Sequence, residues 1–92
     1  MPLRDQLNED IKASMKARET DKLAALRLLL SSVKQREVDE RITLDDSQVL
    51  AVLEKMIKQR REAVTQFQAG GRQDLVDKET AEIAILQQYL PA

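Results

Sequence analysis

The chain has 92 residues, 42% of them hydrophobic and 34% charged, and its 15 basic and 16 acidic side chains leave a net charge of −1. This balance is typical of one globular domain without an overall charge that would attract nucleic acid or a membrane. Cysteine and histidine are absent, which excludes disulfide scaffolds, thiolate or imidazole catalysis and zinc sites. The sequence has no apolar run near the ~20 residues of a membrane span and starts without a signal-like segment, so we expect a cytoplasmic protein.

The first half of the chain predicts two helices from its 3.6-residue hydrophobic period. The first helix is expected from about Pro2 to Arg18, with apolar residues at four-residue steps. The second is expected from about Asp21 to Arg41, and Thr20 is a suitable N-cap for it. The sequence "RITLDDS" then interrupts the pattern.

The second half predicts a pair of helices joined by a glycine turn. Asp45 or Asp46 can cap the third helix, which ends at Gly70-Gly71, where glycine readily adopts the left-handed conformation. The fourth helix is expected from about Gln73 to Leu90. We found no repeat or long linker, and short connections imply antiparallel neighbours. The sequence therefore predicts one all-α domain over residues 1–92, a four-helix array of antiparallel neighbours.

The predicted core follows the apolar stripes of these four helices. It consists of Leu7, Ile11, Leu23, Leu26, Leu30, Val33, Val49, Leu53, Met56, Val64, Phe67, Leu75, Ile83 and Leu86.

The segment from Lys55 to Arg72 concentrates positive charge, with five cations and one anion, whereas the rest of the chain has 10 basic against 15 acidic residues. At about 100° per residue, Lys55, Lys58 and Arg61 lie on the polar side of the third helix. Two interpretations remain open for these three cations and for Arg72. They are either an ordinary solvated surface, in which Lys58 pairs with neighbouring glutamates, or candidates for binding RNA phosphates.

Arg60 differs from these cations because it lies about 20° from Val49, inside the apolar stripe. A fold-back about the glycine turn brings it close to Glu79 and Glu82, which lie within the stripe of the fourth helix. An unpaired charge in an apolar seam is costly, so we expect an ion-pair network of these three residues, which Arg27 could join. The alternative is that these side chains extend to solvent at the edge of the bundle.

The remaining pairs of polar residues do not indicate a catalytic or metal-binding site. Asp45 and Asp46 are explained better by helix capping than by a metal or acid–base site. Ser31 and Ser32 have no base and no glycine elbow nearby, and neither a phosphate loop nor a dinucleotide fingerprint occurs. We expect no metal, no cofactor and no catalytic residue.

Two longer segments carry a distinctive combination of motifs. "EKMIKQRREAVTQFQAGGRQDLVDKETAEIAILQQYLP" contains KxxKQR, a Phe before GGRxDL, KExxE and a closing YLP. "DKLAALRLLLSSVKQREVD" has the form xLRxLxSxxKxxE. With these motifs the chain resembles the GatB/YqeY family, and the resemblance extends from about Leu3 to Pro91.

This resemblance implies a stand-alone protein similar to the tail domain of the B subunit of glutamine-dependent Asp-tRNA/Glu-tRNA amidotransferase. It implies a four-helix bundle; the three-helix bundle that follows in the family is absent from this chain. That enzyme is a carbon–nitrogen ligase with glutamine as amido-N-donor, but its chemistry belongs to other parts. The expected role is an accessory module without catalytic activity of its own, with tRNA or a tRNA-modifying enzyme subunit as partner. The alternative is a protein–protein adaptor that docks a helical face on a partner subunit and binds no nucleic acid.

Overall fold

The computed structural model describes residues 1–91, which form four α-helices and contain no strand. The all-α prediction is therefore confirmed. The helices are α1 (Leu3–Lys16), α2 (Thr20–Glu40), α3 (Asp46–Ala69) and α4 (Gln73–Gln87). The most extensive contact is between α3 and α4, followed by that between α1 and α2, and α2 also packs against α3 and α4.

The helix boundaries follow the sequence signals closely, with two differences. Asp45 caps α3 in a capping box: its side chain accepts from Gln48 N at 2.8 Å, and Gln48 Oε1 accepts from Asp45 N at 3.0 Å. Thr20, the predicted N-cap of α2, is instead its first helical residue. The last helix ends at Gln87, before the predicted Leu90, because the backbone there tightens into turns with i→i+3 hydrogen bonds.

The core lies where all four helices meet. Its buried apolar residues are Leu7, Leu26, Leu29, Val33, Leu44, Val49, Leu53, Met56, Ile57 and Leu86. Seven of these ten were predicted from periodicity, whereas Leu29, Leu44 and Ile57 were not. Leu44 lies outside any helix, so a helical period could not indicate its burial.

The apolar side chains near the glycine turn of the α3–α4 hairpin are less buried than predicted. Val64, Phe67 and Leu75 are only half-buried and lie outside the main core cluster. The 24 residues of α3 span about 36 Å, whereas the 14 residues of α1 span only about 21 Å. The hairpin therefore extends past the main core at its glycine end.

A polar contact closes the other end of the bundle. Glu37 on α2 accepts hydrogen bonds from both terminal nitrogens of Arg4 on α1, and from Leu44 N at 2.8 Å. The Arg4 hydrogen bonds, and next the one from Leu44, hold the pKa of Glu37 below its usual value. Nearby, Asp46 at the start of α3 accepts from Leu3 N at 3.0 Å, which satisfies a free backbone donor of α1. One carboxylate on each of α2 and α3 thus fixes the start of α1.

The chain after α4 is joined to α1 by the only tyrosine. Tyr89 donates its hydroxyl to Asp10 Oδ2 at 2.5 Å. Burial, and next the hydrogen bond to Asp10, raise the pKa of Tyr89 above its usual range. This contact holds the C-terminal turns against the middle of α1.

Candidate nucleic-acid interface

The basic residues of α3 separate into an inward and an outward set, as the helical period predicts. Arg60 is the inward residue: its Nε lies 2.8 Å from Glu82 Oε2 and 3.9 Å from Glu79 Oε2. The three side chains are only 15%, 16% and 20% exposed, in the order Arg60, Glu82, Glu79. Arg60 also donates from Nη1 to the carbonyl of Met56 at 3.4 Å. Arg60 therefore contacts both carboxylates that the hairpin register predicts.

Arg27, which the sequence suggested as a further member of this network, does not join it. Its side chain is exposed and its Nη2 lies 3.6 Å from Met15 Sδ, so it faces α1 and solvent. The reason is the orientation of α2, which buries Leu26 and Leu29 and turns the two residues between them, Arg27 and Leu28, outward. The expected four-residue network therefore has three members.

The outward set consists of Lys55, Lys58 and Arg61, which we call the α3 cation row. All three side chains are exposed. Within residues 1–91, no carboxylate lies within ion-pair distance of any of them. The pairs of Lys58 with Glu54 or Glu62 that its spacing suggested are thus not formed. The two glutamates still lie on the same exposed side, so the positive potential of the row is modest.

Arg72 lies beyond the glycine turn and is held by a local partner. Its Nε and Nη2 donate to the two carboxylate oxygens of Asp74 at 3.1 and 2.9 Å. This fork holds the pKa of Asp74 below its usual value. Both side chains are about 60% exposed, at 59% and 64%, so the pair itself is weak. Arg72 is nevertheless less available to a phosphate than the three cations of the row.

Two further properties bear on function. In the part of the chain that the structure describes, no group of three or more acidic side chains is arranged to hold a metal ion. A helix long and apolar enough to cross a bilayer is also missing from residues 1–91.

These observations define a small helical-bundle protein with one internal ion-pair network and one exposed row of cations. Comparison with known families gives a more specific assignment. The model of the family described as YqeY-like protein matches residues 4–92, nearly the whole chain. The chain therefore belongs to the YqeY-like protein family.

Curated fungal relatives cover the same region. The chain is 37% identical over 87 residues to "Altered inheritance of mitochondria protein 41, mitochondrial" of Eremothecium gossypii, a match covering 94% of this chain and 48% of the relative. The protein of that name in Kluyveromyces lactis is 36% identical, with 94% and 47% covered. An uncharacterized protein of Schizosaccharomyces pombe is 38% identical over 78 residues, covering 85% of this chain and 63% of the relative. The chain thus spans about half the length of the mitochondrial relatives it matches.

These names correct the expected location. Several of the relatives are named as mitochondrial, which contradicts the cytoplasmic expectation. The expectation was wrong because it rested on the lack of a membrane span and of a signal-like start. Neither feature distinguishes the cytoplasm from another compartment inside the cell.

Proposed function

We propose that this chain is a non-catalytic helical module that binds tRNA through the phosphate backbone, as an accessory to tRNA-dependent amidotransferase systems. The observation that carries the proposal is the α3 cation row, Lys55, Lys58 and Arg61, which is exposed and unpaired within residues 1–91. The connection to amidotransferases, carbon–nitrogen ligases that use glutamine as amido-N-donor, rests on the motifs shared with the tail of their B subunit.

The charges of the module suit weak, sequence-independent binding. Three cations with two interspersed glutamates allow about three phosphate contacts, which corresponds to a log-affinity versus log-salt slope of roughly −2 to −3. The chain has one tyrosine and one phenylalanine. Tyr89 donates to Asp10 and Phe67 is half-buried in the hairpin, so neither offers a stacking platform. Binding by the α3 cation row should therefore follow RNA shape and backbone, without base stacking.

A salt titration with a matched pair of variants tests the proposal. Lys58→Gln/Arg61→Gln should weaken binding of bulk tRNA at low salt and reduce the slope by about two. The control is Lys16→Gln/Lys34→Gln, which removes the same charge from exposed positions on α1 and α2 and should leave most of the binding. Equal losses in both doubles would show that only net charge matters and would contradict the α3 cation row as the site.

A protein–protein adaptor is the second candidate, because α2 exposes apolar side chains on its outward face. Leu28 and Val38 are 46% and 71% exposed, and Ile42 just beyond the helix is 40% exposed. The same titration separates the two functions. If tRNA does not bind, or binds equally to wild type and Lys58→Gln/Arg61→Gln, the adaptor function is favoured, and Leu28 and Val38 are the first positions to change.

A further inference from the structure

The cation row borders a groove between α2 and α3. The groove has a volume of about 550 Å³, within the range typical of small-molecule sites. Its apolar floor is formed by Val52 and Met56, and Lys55, the first cation of the row, is on its α3 wall. The groove and the row therefore share one side chain.

The walls of the groove carry hydrogen-bonding groups that the fold does not use. The Gln59 side chain makes no hydrogen bond within residues 1–91, so its amide offers both a donor and an acceptor. On the α2 wall, Gln35 donates to Asp39 at 2.9 Å and keeps its carbonyl oxygen free. Arg36 uses Nε for Glu40 at 2.5 Å and keeps its two terminal nitrogens. The groove thus combines a small apolar floor with amide and guanidinium groups.

We propose that this groove binds the base of one unpaired RNA nucleotide, with its phosphate at Lys55 and the following phosphates at Lys58 and Arg61. This inference rests on the proposed tRNA-binding function and specifies the part of the RNA that is recognised. Bases outside a duplex expose donor and acceptor edges that amide side chains complement. The three cations are each three residues apart, a rise of about 4.5 Å per step, and form a continuous path away from the groove.

The shape of the groove favours a nucleotide over a partner helix. An amphipathic helix docks through several apolar anchors spaced over two turns and needs an extended apolar groove. Here the floor offers two apolar side chains, and both walls carry charged groups, including Asp39 and Glu40. A single heterocyclic ring with polar edges matches that lining better.

Ala51→Leu is the main test, because Ala51 lies at the groove and is exposed. A leucine side chain can fill the space without entering the core and without adding an aromatic ring on which a base could stack. Ala84→Leu on the exposed side of α4 is the matched control. Binding is measured by fluorescence anisotropy at about 20 mM salt, where phosphate contacts are strong, with a single-stranded hexanucleotide and with a blunt RNA duplex long enough to stay paired at that salt. Ala51→Leu should weaken hexanucleotide binding roughly tenfold or more and change duplex binding less than about twofold. Ala84→Leu should change neither.

A second variant keeps the test decisive if Ala51→Leu does not fold, as judged by circular dichroism. Gln59→Ala removes the free amide from an exposed helical position and should weaken hexanucleotide binding about threefold to tenfold. Unchanged hexanucleotide binding in the folded groove variants would overturn the groove site while leaving the cation row and the proposed function intact. If wild type binds neither of these RNAs and no bulk tRNA, both proposals fail, whereas binding of bulk tRNA alone would leave the proposed function standing and overturn the groove site. Adenosine monophosphate binding as tightly as the hexanucleotide would assign the groove to free nucleotides and overturn the RNA inference.

Discussion

Replacing Arg60 by alanine tests whether the α3–α4 hairpin depends on its internal ion pair. The substitution removes the partner of two carboxylates that both lie within 4 Å of Arg60 Nε, at 2.8 Å for Glu82 and 3.9 Å for Glu79. It also removes the hydrogen bond to the carbonyl of Met56. The two glutamates would then face each other, mostly buried, without a counter-charge.

The magnitude follows from the degree of burial. Breaking a fully buried pair typically costs ~3–5 kcal/mol, and an exposed pair contributes ~0–1 kcal/mol. With side chains 15% to 20% exposed, the network lies nearer the buried limit, and we expect a loss of about 2–3 kcal/mol in the free energy of unfolding. For a chain of this size, that loss lowers the melting temperature by roughly 8–24 °C.

Urea unfolding of Arg60→Ala and of three further variants separates the effect of the charge from that of packing. Arg60→Met keeps most of the aliphatic stem and isolates the loss of the charge. Adding Glu82→Gln to Arg60→Met should recover part of the stability, because it removes one of the uncompensated carboxylates. Lys58→Ala on the exposed side should change stability by less than about 0.5 kcal/mol. Small, equal effects of Arg60→Ala and Lys58→Ala would refute the argument and identify Arg60 as a surface residue.

Two further predictions concern the ends of the bundle and can be checked by the same unfolding assay. Folding lowers the pKa of Glu37 below its usual value of 4.5. The ionised Glu37 side chain therefore stabilises the folded state above pH 4.5, and this contribution is lost as the pH falls through the folded-state pKa. Glu37→Gln should therefore lower stability at neutral pH and flatten the acid side of the stability profile, whereas a matched Glu54→Gln on the exposed face of α3 should not. Gly71 has φ +71° with no atom within 4 Å of an added Cβ, so Gly71→Ala should cost about 1 kcal/mol for backbone strain alone. Gly70→Ala, at φ −84°, should cost less than about 0.5 kcal/mol, and the reverse order would contradict the turn geometry.

Sequence periodicity predicted the hairpin contacts well because several local signals agree. Gly70-Gly71 marks the turn, and the apolar stripes of α3 and α4 fix which faces meet. Arg60 on α3 and Glu82 on α4 then lie close to each other between the two apolar stripes, where an unpaired charge is unfavourable. The pairing at 2.8 Å follows from these constraints, without knowledge of the other two helices.

The contacts of α1 could not be predicted in this way. The arrangement in which Arg4 and Leu44 N donate to Glu37 depends on the path of the loop after α2 and on how α1 crosses it. No period in the sequence encodes either property. Arg27 illustrates the same limit: a residue among leucines looked buried, but the rotation of α2 was set by the helices packed against it.

Arg72 shows a third kind of limit, because its partner is a neighbour two positions along the chain. The concentration of basic residues in the sequence predicted that Arg72 belongs with Lys55, Lys58 and Arg61. In the structure, the turn after Gly71 places Asp74 where its carboxylate accepts two hydrogen bonds from Arg72. Whether a cation is free therefore depends on the local backbone as much as on the surrounding composition.

Some basic residues form ion pairs between helices and others do not, and this difference determines which substitutions can test RNA binding. Within residues 1–91, the cations that form ion pairs with carboxylates on other helices are Arg4 and Arg60. The α3 cation row contacts no carboxylate within residues 1–91, so its substitution removes no ion pair that stabilises the bundle. Because surface substitutions of this kind change stability little, a loss of RNA binding in Lys58→Gln/Arg61→Gln reports on the interface and not on unfolding. A loss of RNA binding in an Arg60 variant would not identify the interface, because that substitution also destabilises the α3–α4 hairpin that carries the α3 cation row.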